Sequence, residues 1–587
     1  MKIKSSILVS FFIITLKSLF AQKNHTIEYI LPENAPLHKI VLSEESIEYS
    51  KRNLDKTLQS KQLYLYENGY LQSSFDSIIT DSLKTIVYVA LGAVYKWVYL
   101  DVDSFHEEAL NKVGFRDKLY INRPFSIKNF TRLVEKLLSY YENNGYPFCE
   151  IRLDSLTLEK NTIGAKLVIN KNKLCRIDSI LVAGTQKTTE SFIQNYIAVK
   201  EGGIYNEKSV KNINKKLAEL PFLNVKSSPQ VFFSQDETKI KLFLEEKKAN
   251  YFNGVLGVLP DNTTGKIQTT GDVALKLINT LGKGEKLDVN WRKLQLKTQD
   301  LKVMINYPFI LNMPFGLDAD LKIYKRDTTF LNINSIIGIQ YLLSGGNYFK
   351  AFVENKTSTL LSTKAYENNP ATPSNADTRI TAYGVGFRKY NLDYFFNPKK
   401  GYDITLNASV GNKIVKPNAK LIAESYDSLE LKTTQYEYGY KVNVYSQTSS
   451  RSTINLGANG AQLINTVIFE NETYRIGGLK MLRGFNEESI NASLYTIGTI
   501  EWRYLLDRNS YFLLFADGGY YENVTKKSAL YAVPLGLGMG VSFETKAGIF
   551  TVNYAVGTIS GTNNSRYFRN GFNLQNSKIH FGFVNFF

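Results

Sequence analysis

The sequence predicts an array of small α+β repeats followed by a 16-stranded antiparallel transmembrane β-barrel. Three observations carry this reading. Residues 250–587 alternate apolar with polar side chains in runs of about ten residues. The connections between those runs sort by length, long on one side and short on the other. The preceding stretch repeats itself with a period of 76 residues.

Residues 1–21 read as a secretory signal peptide. Lys2 and Lys4 form the basic start, Ile7 to Leu16 the apolar stretch, and Ala21-Gln22 the cleavage point. That stretch falls short of the roughly 20 apolar residues a spanning helix needs. No later segment reaches that length, the most apolar run, Ile86 to Tyr95, being interrupted by Gly92. A membrane-embedded chain of this kind must therefore cross as a closed barrel, where backbone groups pair between strands. Its 38 Tyr and 35 Phe suit the interfacial girdles such a barrel carries.

The formal charge is +17, or +14 once Lys2, Lys4 and Lys17 leave with the signal. Lysines are dispersed among acidic residues, which argues against nucleic acid as a partner and for a solvated basic surface near anionic outer-membrane lipid. Cys149 and Cys175 allow at most one disulfide and no metal cluster; a bridge and two separate buried thiols are equally compatible with their spacing. The histidines (His25, His38, His106 and His580) lie in unrelated segments. No nucleophile elbow, phosphate-cradling loop or zinc pattern is present, so the expectation is a protein that is not an enzyme and uses no cofactor and no metal.

Within the repeats, Tyr66-Glu67-Asn68-Gly69-Tyr70 recurs as Tyr141-Glu142-Asn143-Asn144-Gly145-Tyr146. Gly69 and Gly145 are 76 residues apart, and one further period reaches Pro221-Phe222. Each position follows a helical pattern and precedes a strand pattern. Phe130, Leu133, Val134, Leu137, Leu138 and Tyr141 keep helical spacing in the second unit, as do Val210, Ile213, Leu217 and Leu220 in the third. The unit reads β-α-α-β-β. In the third copy its elements are Arg176–Val182, Thr189–Ile197, Glu207–Leu220, Val225–Phe233 and Lys239–Glu245. This pattern resembles the POTRA domain, the periplasmic module of outer-membrane protein assembly factors. Three copies then occupy 24–95, 96–173 and 174–249. The resemblance implies that the second strand of each unit (Leu71–Ile78, Phe148–Leu153 and Val225–Phe233) is an exposed edge. Such an edge can take up an extended client segment by backbone pairing.

Beyond Lys248, Leu287, Val289 and Trp291 interleave with Lys286, Asp288, Asn290 and Arg292. A soluble sandwich would also alternate. Loop sorting separates the two. Sixteen strands fall near 251–259, 267–279, 285–295, 300–308, 315–325, 332–343, 347–358, 379–390, 401–412, 432–445, 452–465, 493–505, 511–521, 533–543, 547–557 and 578–587. The longest gaps, 359–378, 413–431, 466–492 and 558–577, each follow an odd-numbered strand, whereas gaps after even-numbered strands run from three to ten residues. Long loops outside and short periplasmic turns are the pattern of outer-membrane barrels.

In the gap 466–492 stands Arg483-Gly484-Phe485, followed by Glu501 and by Phe515-Ala516-Asp517-Gly518-Gly519. Glu501 has the parity of Thr499 and opposes Ile500, Trp502 and Tyr504, so it faces the lumen. Asp517 shares parity with Phe515 and Gly519. This arrangement resembles the inward lid loop of the same assembly-factor family. By that resemblance Arg483 binds Asp517 and Glu501 as a lid-loop lock, Gly484 lets the tip turn, Phe485 packs nearby, and Phe515 and Gly519 complete the wall motif.

The first barrel strand carries Gly254 and Gly257, which weaken pairing. Two readings follow: a poorly sealed lateral seam between Gly254, Val255 and Gly257 on one side and Gly582 and Phe587 on the other, or a barrel bend at the two glycines. The aromatic end, Ile579 to Phe587, resembles the terminal strand by which outer-membrane proteins are recognised. With three modules and a barrel at 250–587, the chain resembles the TamA-type translocation and assembly subunits more than the central assembly factor of the family. That resemblance implies client outer-membrane or secreted polypeptides as partners, and a long periplasm-spanning partner protein. The expected function is assembly or translocation of those clients in the outer membrane of a Gram-negative bacterium. A two-partner-type secretion translocator for one exoprotein, or a passive channel, are the alternatives.

Overall fold

The computed structural model describes residues 24–32, 42, 44–48, 50–185, 187–260, 267–295, 297–364, 366–367, 370–394, 397–526, 529–545, 548–561 and 574–586. The expected signal peptide, 1–21, lies outside the described residues, as does Phe587. Two compact units emerge. One ends at Arg176 and includes Ile204–Lys208; the other comprises Ile177–Gly203 and the chain from Ser209 onward.

The first unit contains two sheets. One has the order β2-β1-β4-β3, built from β1 (Asn24–Ile30), β2 (Glu45–Glu48), β3 (Ser74–Thr80) and β4 (Lys84–Ala90). The second has the order β5-β7-β6, with β5 (Lys96–Val102), β6 (Glu150–Glu159) and β7 (Thr162–Asn170). In both, the first strand runs parallel to the last and the second strand is antiparallel at the edge. The helix Ile127–Glu142 starts where the Ser126 hydroxyl accepts from the Asn129 N–H, and it buries Leu133, Leu137 and Tyr141 at four-residue intervals. Among the described residues the first module reads β-β-α-β-β. Strand β2 pairs antiparallel with β1 ahead of the helix Lys51–Glu67, and its Ile47 packs against the Ile27 core.

The repeated glycines mark the hand-over between modules. Gly69, at φ +91°, offers its carbonyl to the Tyr95 N–H at 2.9 Å; Gly145, at φ +93°, offers its own to the Cys175 N–H at 2.8 Å. In the second unit the Phe222 carbonyl accepts from the Lys247 N–H at 2.9 Å, just before the barrel begins. The period of 76 seen in the sequence thus separates the first two of these backbone acceptors, with the third, Phe222, one residue beyond the next period. Cys149 and Cys175 are both buried and do not form a disulfide. Burial pushes the Cys149 thiol up to about 11.

In the second unit, β8 (Ser179–Ala183), β9 (Leu223–Phe233) and β10 (Thr238–Glu246) form a sheet of order β8-β10-β9. The helix Glu190–Ile197 begins at Thr189, and the expected second helix is divided into Glu207–Lys211 and Ile213–Ala218.

Sixteen strands then close into one antiparallel barrel. They are β11 (Tyr251–Pro260), β12 (Ile267–Ile278), β13 (Lys286–Gln295), β14 (Thr298–Tyr307), β15 (Phe315–Arg326) and β16 (Phe330–Leu342). Next come β17 (Tyr348–Leu360), β18 (Asp377–Leu392), β19 (Gly401–Lys416), β20 (Lys432–Ser449) and β21 (Ser452–Ile464). After a small hairpin of β22 (Tyr474–Ile476) and β23 (Ile490–Ala492), the barrel resumes with β24 (Leu494–Leu505) and β25 (Tyr511–Val524). It ends with β26 (Ala529–Thr545), β27 (Gly548–Gly561) and β28 (Lys578–Phe586). Ile500, Trp502 and Tyr504 of β24 are exposed on the outer face while Glu501 is buried inside. No described helix is long and apolar enough to cross a membrane; the crossing is by strands.

The module before the barrel packs on the short turns. The Thr189 N–H donates to the Gly282 carbonyl at 2.7 Å, and Asn279 donates to the Thr188 hydroxyl at 2.9 Å. Phe192 meets Phe309 edge to face at 5.7 Å. The Tyr196 hydroxyl lies 3.0 Å from that of Tyr390 and donates to Glu219 at 3.4 Å.

Candidate functional site

The loop between β21 and β24 folds back into the barrel. Its hairpin β22–β23 pairs Tyr474 with Ala492 and Ile476 with Ile490, and Gly477 and Gly478 then turn at positive φ toward Leu482. Leu482 is fully buried beside Ile476 and Ala492, which fixes where the next residue points.

That residue is Arg483. Its Nε and Nη2 donate to the two oxygens of Asp517 at 2.7 and 2.8 Å, and its own N–H adds a third bond to Asp517 at 3.0 Å. Its Nη1 donates to Glu501 at 2.7 Å. The guanidinium plane lies 3.5 Å over the Phe515 ring. Arg483, Glu501 and Asp517 are only 7%, 6% and 1% exposed, so the charges have little water and rely on each other. The structure therefore brings together Arg483, Glu501, Asp517 and Phe515, on β24, β25 and the loop.

Further groups hold the acids in place. Thr499 donates to Asp517 at 2.9 Å. Arg503 donates to the other oxygen of Glu501 at 2.6 Å and reaches Asn397 at 2.8 Å. Two carboxylates thus face two guanidiniums, a balanced buried set.

Gly484 has φ +92°, and a Cβ there would sit 2.8 Å from the Gly557 nitrogen. Its N–H donates to His580 Nε2 on β28 at 3.2 Å. The Phe485 ring lies over Gly557, 3.0 Å from where a Cβ there would be. Gly519 lets β24 approach, since a Cβ there would fall 1.9 Å from the Thr496 carbonyl oxygen.

Residues absent from the sequence expectation complete the site. On β26, Gly536 lies directly opposite Gly557 on β27, and a Cβ at Gly536 would be 2.0 Å from the Arg483 carbonyl oxygen. The signal available was the alternation Gly536, Gly538, Gly540, which empties one face of a strand. On the far wall, Arg292 of β13 contacts the loop acids Glu487 (3.6 Å) and Glu488 (3.3 Å), as well as Asp272 of β12 at 3.6 Å. Arg475 pairs with Glu488 at 3.6 Å and stacks 3.2 Å over Tyr324. No short-range pattern links residues this far apart in the chain.

At the seam, β28 pairs with β27 from Ile549–Val584 to Ala555–Lys578. Among the described residues it pairs with β11 at Tyr251–Phe586 and Phe252–Asn585 alone. Gly254, Val255 and Gly257 face Val273, Asp272 and Thr270 of β12. Gly582 faces Thr551, with Leu479 of the loop 3.4 Å from its Cβ position. The structure does not bring the glycines of β11 against Gly582, because the ladder stops two pairs in from the end of the last strand.

Residues 279–587 match the Omp85 superfamily domain, and residues 175–247 match the POTRA family described as a surface antigen variable number repeat. Over 154 residues the chain is 25% identical to the outer membrane protein assembly factor BamA of Nitratidesulfovibrio vulgaris, a match covering 26% of this chain and 19% of that protein. The solved structure of CdiB from Escherichia coli aligns with a TM-score of 0.50 at 12% identity, over 92% of this chain and 99% of its own. CdiB from Acinetobacter baumannii aligns with a TM-score of 0.50 at 12% identity, over 91% and 97%. These structural likenesses concern the fold.

Proposed function

This chain belongs to the Omp85 superfamily, an outer-membrane barrel with periplasmic modules, and we propose that it assembles or translocates client polypeptides through the seam between β11 and β28. The observation that carries this reading is the seam itself, joined by two backbone pairs among the described residues and spanned from inside by the lid loop. The loop touches β28 through Gly484–His580 and Leu479–Gly582, and it touches β13 through Glu487 and Glu488 on Arg292. Arg483 anchors the same loop on β24 and β25. The loop thus acts as an internal strap, with closure resting on side-chain contacts more than on the β11–β28 ladder.

In this mechanism a client strand arrives extended. Edge strands β3, β6 and β9 of the modules offer unpaired backbone groups for it. At the barrel the edge of β11 beyond its two pairs with β28 templates the client strand, whose backbone groups give up water as each new pair forms. Such an exchange trades one set of hydrogen bonds for another and needs no nucleotide. Quantitative proteomics of the outer membrane after depletion tests the reading. Loss of several unrelated barrel proteins is expected; loss of one secreted protein alone points to a dedicated translocator, and an unchanged proteome refutes both.

A further inference from the structure

The joint between the first two modules opens a cleft of about 850 Å³, within the range of ligand-binding pockets. Its walls are preset by backbone bonds, Tyr95 N–H to Gly69 and Phe125 N–H to Tyr95, so it exists before any ligand arrives. Four exposed cations line it: Lys96, Arg123, Arg132 and Lys136. None of them makes an ion pair among the described residues, and the cleft holds a single acid, Glu67. Leu119, 62% exposed, and the half-buried Tyr120 add an apolar surface between the charges.

We infer that this cleft is a binding site for an extended acidic polypeptide segment in which carboxylates alternate with apolar side chains. The cations are distributed, not focused. Arg132 and Lys136 share one face of the helix Ile127–Glu142, about 6 Å apart along its axis, while Lys96 and Arg123 stand at the joint. A single phosphate would need them convergent. Spaced carboxylates with apolar residues between them match both the charge and the exposed Leu119 and Tyr120. Four cations facing one acid attract such a segment from solution and reject basic ones. The inference rests on the client-handling reading above and names the chemistry of the clients that this module pair selects.

The test uses the full chain in detergent and a short labelled peptide alternating Glu with Phe and Val. Fluorescence anisotropy should show binding that weakens with added salt, and no binding of the same peptide with Lys in place of Glu. The double variant Arg132→Glu, Lys136→Glu changes exposed side chains only and should weaken binding by ~10-fold or more, while Lys51→Glu, an exposed cation outside the cleft, leaves it unchanged. Equal binding of acidic and basic peptides, or full binding by the double variant, overturns the inference. So does capture of phosphatidylglycerol vesicles through these four cations without acidic-peptide binding. The readout is binding, so a failure of the unmutated chain to bind the acidic peptide, with its outer-membrane assembly phenotype intact, would sink the cleft without touching the seam.

Discussion

Gly536 and Gly557 stand opposite each other on β26 and β27, and the backbone of Arg483 and Gly484 rests on the bare patch between them. The lid therefore has two determinants. One is charge, from Asp517 and Glu501; the other is the absence of side chains.

Removing the charge should release the loop. Arg483→Ala leaves the Asp517 carboxylate buried without its guanidinium, a loss of about 3–5 kcal/mol for a broken buried pair. Limited proteolysis within 466–492 should accelerate while the barrel keeps its heat-modifiable migration. Arg483→Lys should rescue only in part, because an ammonium cannot fork across both oxygens of Asp517.

Filling the bare patch should produce the same phenotype with every charge kept. Gly536→Val places a side chain where the Arg483 carbonyl lies, 2.0 Å from the Cβ position. Protease sensitivity of the loop should match that of Arg483→Ala. A tight loop in Gly536→Val would mean the patch tolerates displacement.

The opposite anchor is separable. Arg292→Glu sets a carboxylate against Glu487 and Glu488 and should detach the loop from β13 while Arg483 stays bound. Spin labels on the loop and on β13 should move apart, with the distance to β25 unchanged.

The seam can be closed by a bond placed where the strands meet. Cysteines at Phe252 and Asn585, Cα partners across β11 and β28, should cross-link readily and stop client assembly in an intact barrel. Extending the register would set Val255 opposite Gly582, so a cysteine pair there should cross-link only when the ladder lengthens. Full activity of the Phe252–Asn585 cross-linked form would refute the lateral route.

The docked module carries a pH response. Burial pushes the Glu219 carboxyl up to about 7, with Lys215, Tyr196 and Lys216 opposing, and Tyr390 faces the same cluster. A carboxyl raised in the folded state stabilises it below the unfolded range, about 4.3, and that contribution fades as pH climbs through the folded value. Hydrogen exchange in the helix Glu190–Ile197 should therefore open more at about pH 8 than at about pH 6, beyond the intrinsic rate change. Glu219→Gln should flatten the difference.

The barrel was legible because period-two alternation and turn composition are local, and each strand carries its own record of inside and outside. Glu501 and Asp517 were legible for the same reason, parity placing both acids in the lumen, whereas Arg483 as their partner came from the resemblance to the lid loop of the assembly-factor family. Arg292 and its loop acids were not, since nothing within a window of one strand links residues almost 200 positions apart. Gly536 and Gly557 were not legible, because a glycine's role here is a space that another segment fills. The extent of the β11–β28 ladder escaped too, as alternation encodes which way a side chain points and not how far two edges zip.

The joints at Gly69 and Gly145 make the N-terminal array modular in a literal sense. Excising residues 70–145 would splice Gly69 to Tyr146, restoring the Asn-Gly-Tyr junction and handing the Gly69 carbonyl to the Cys175 amide. An arm one bead shorter, threaded on the same knot, would be left to present the barrel with its final module unchanged.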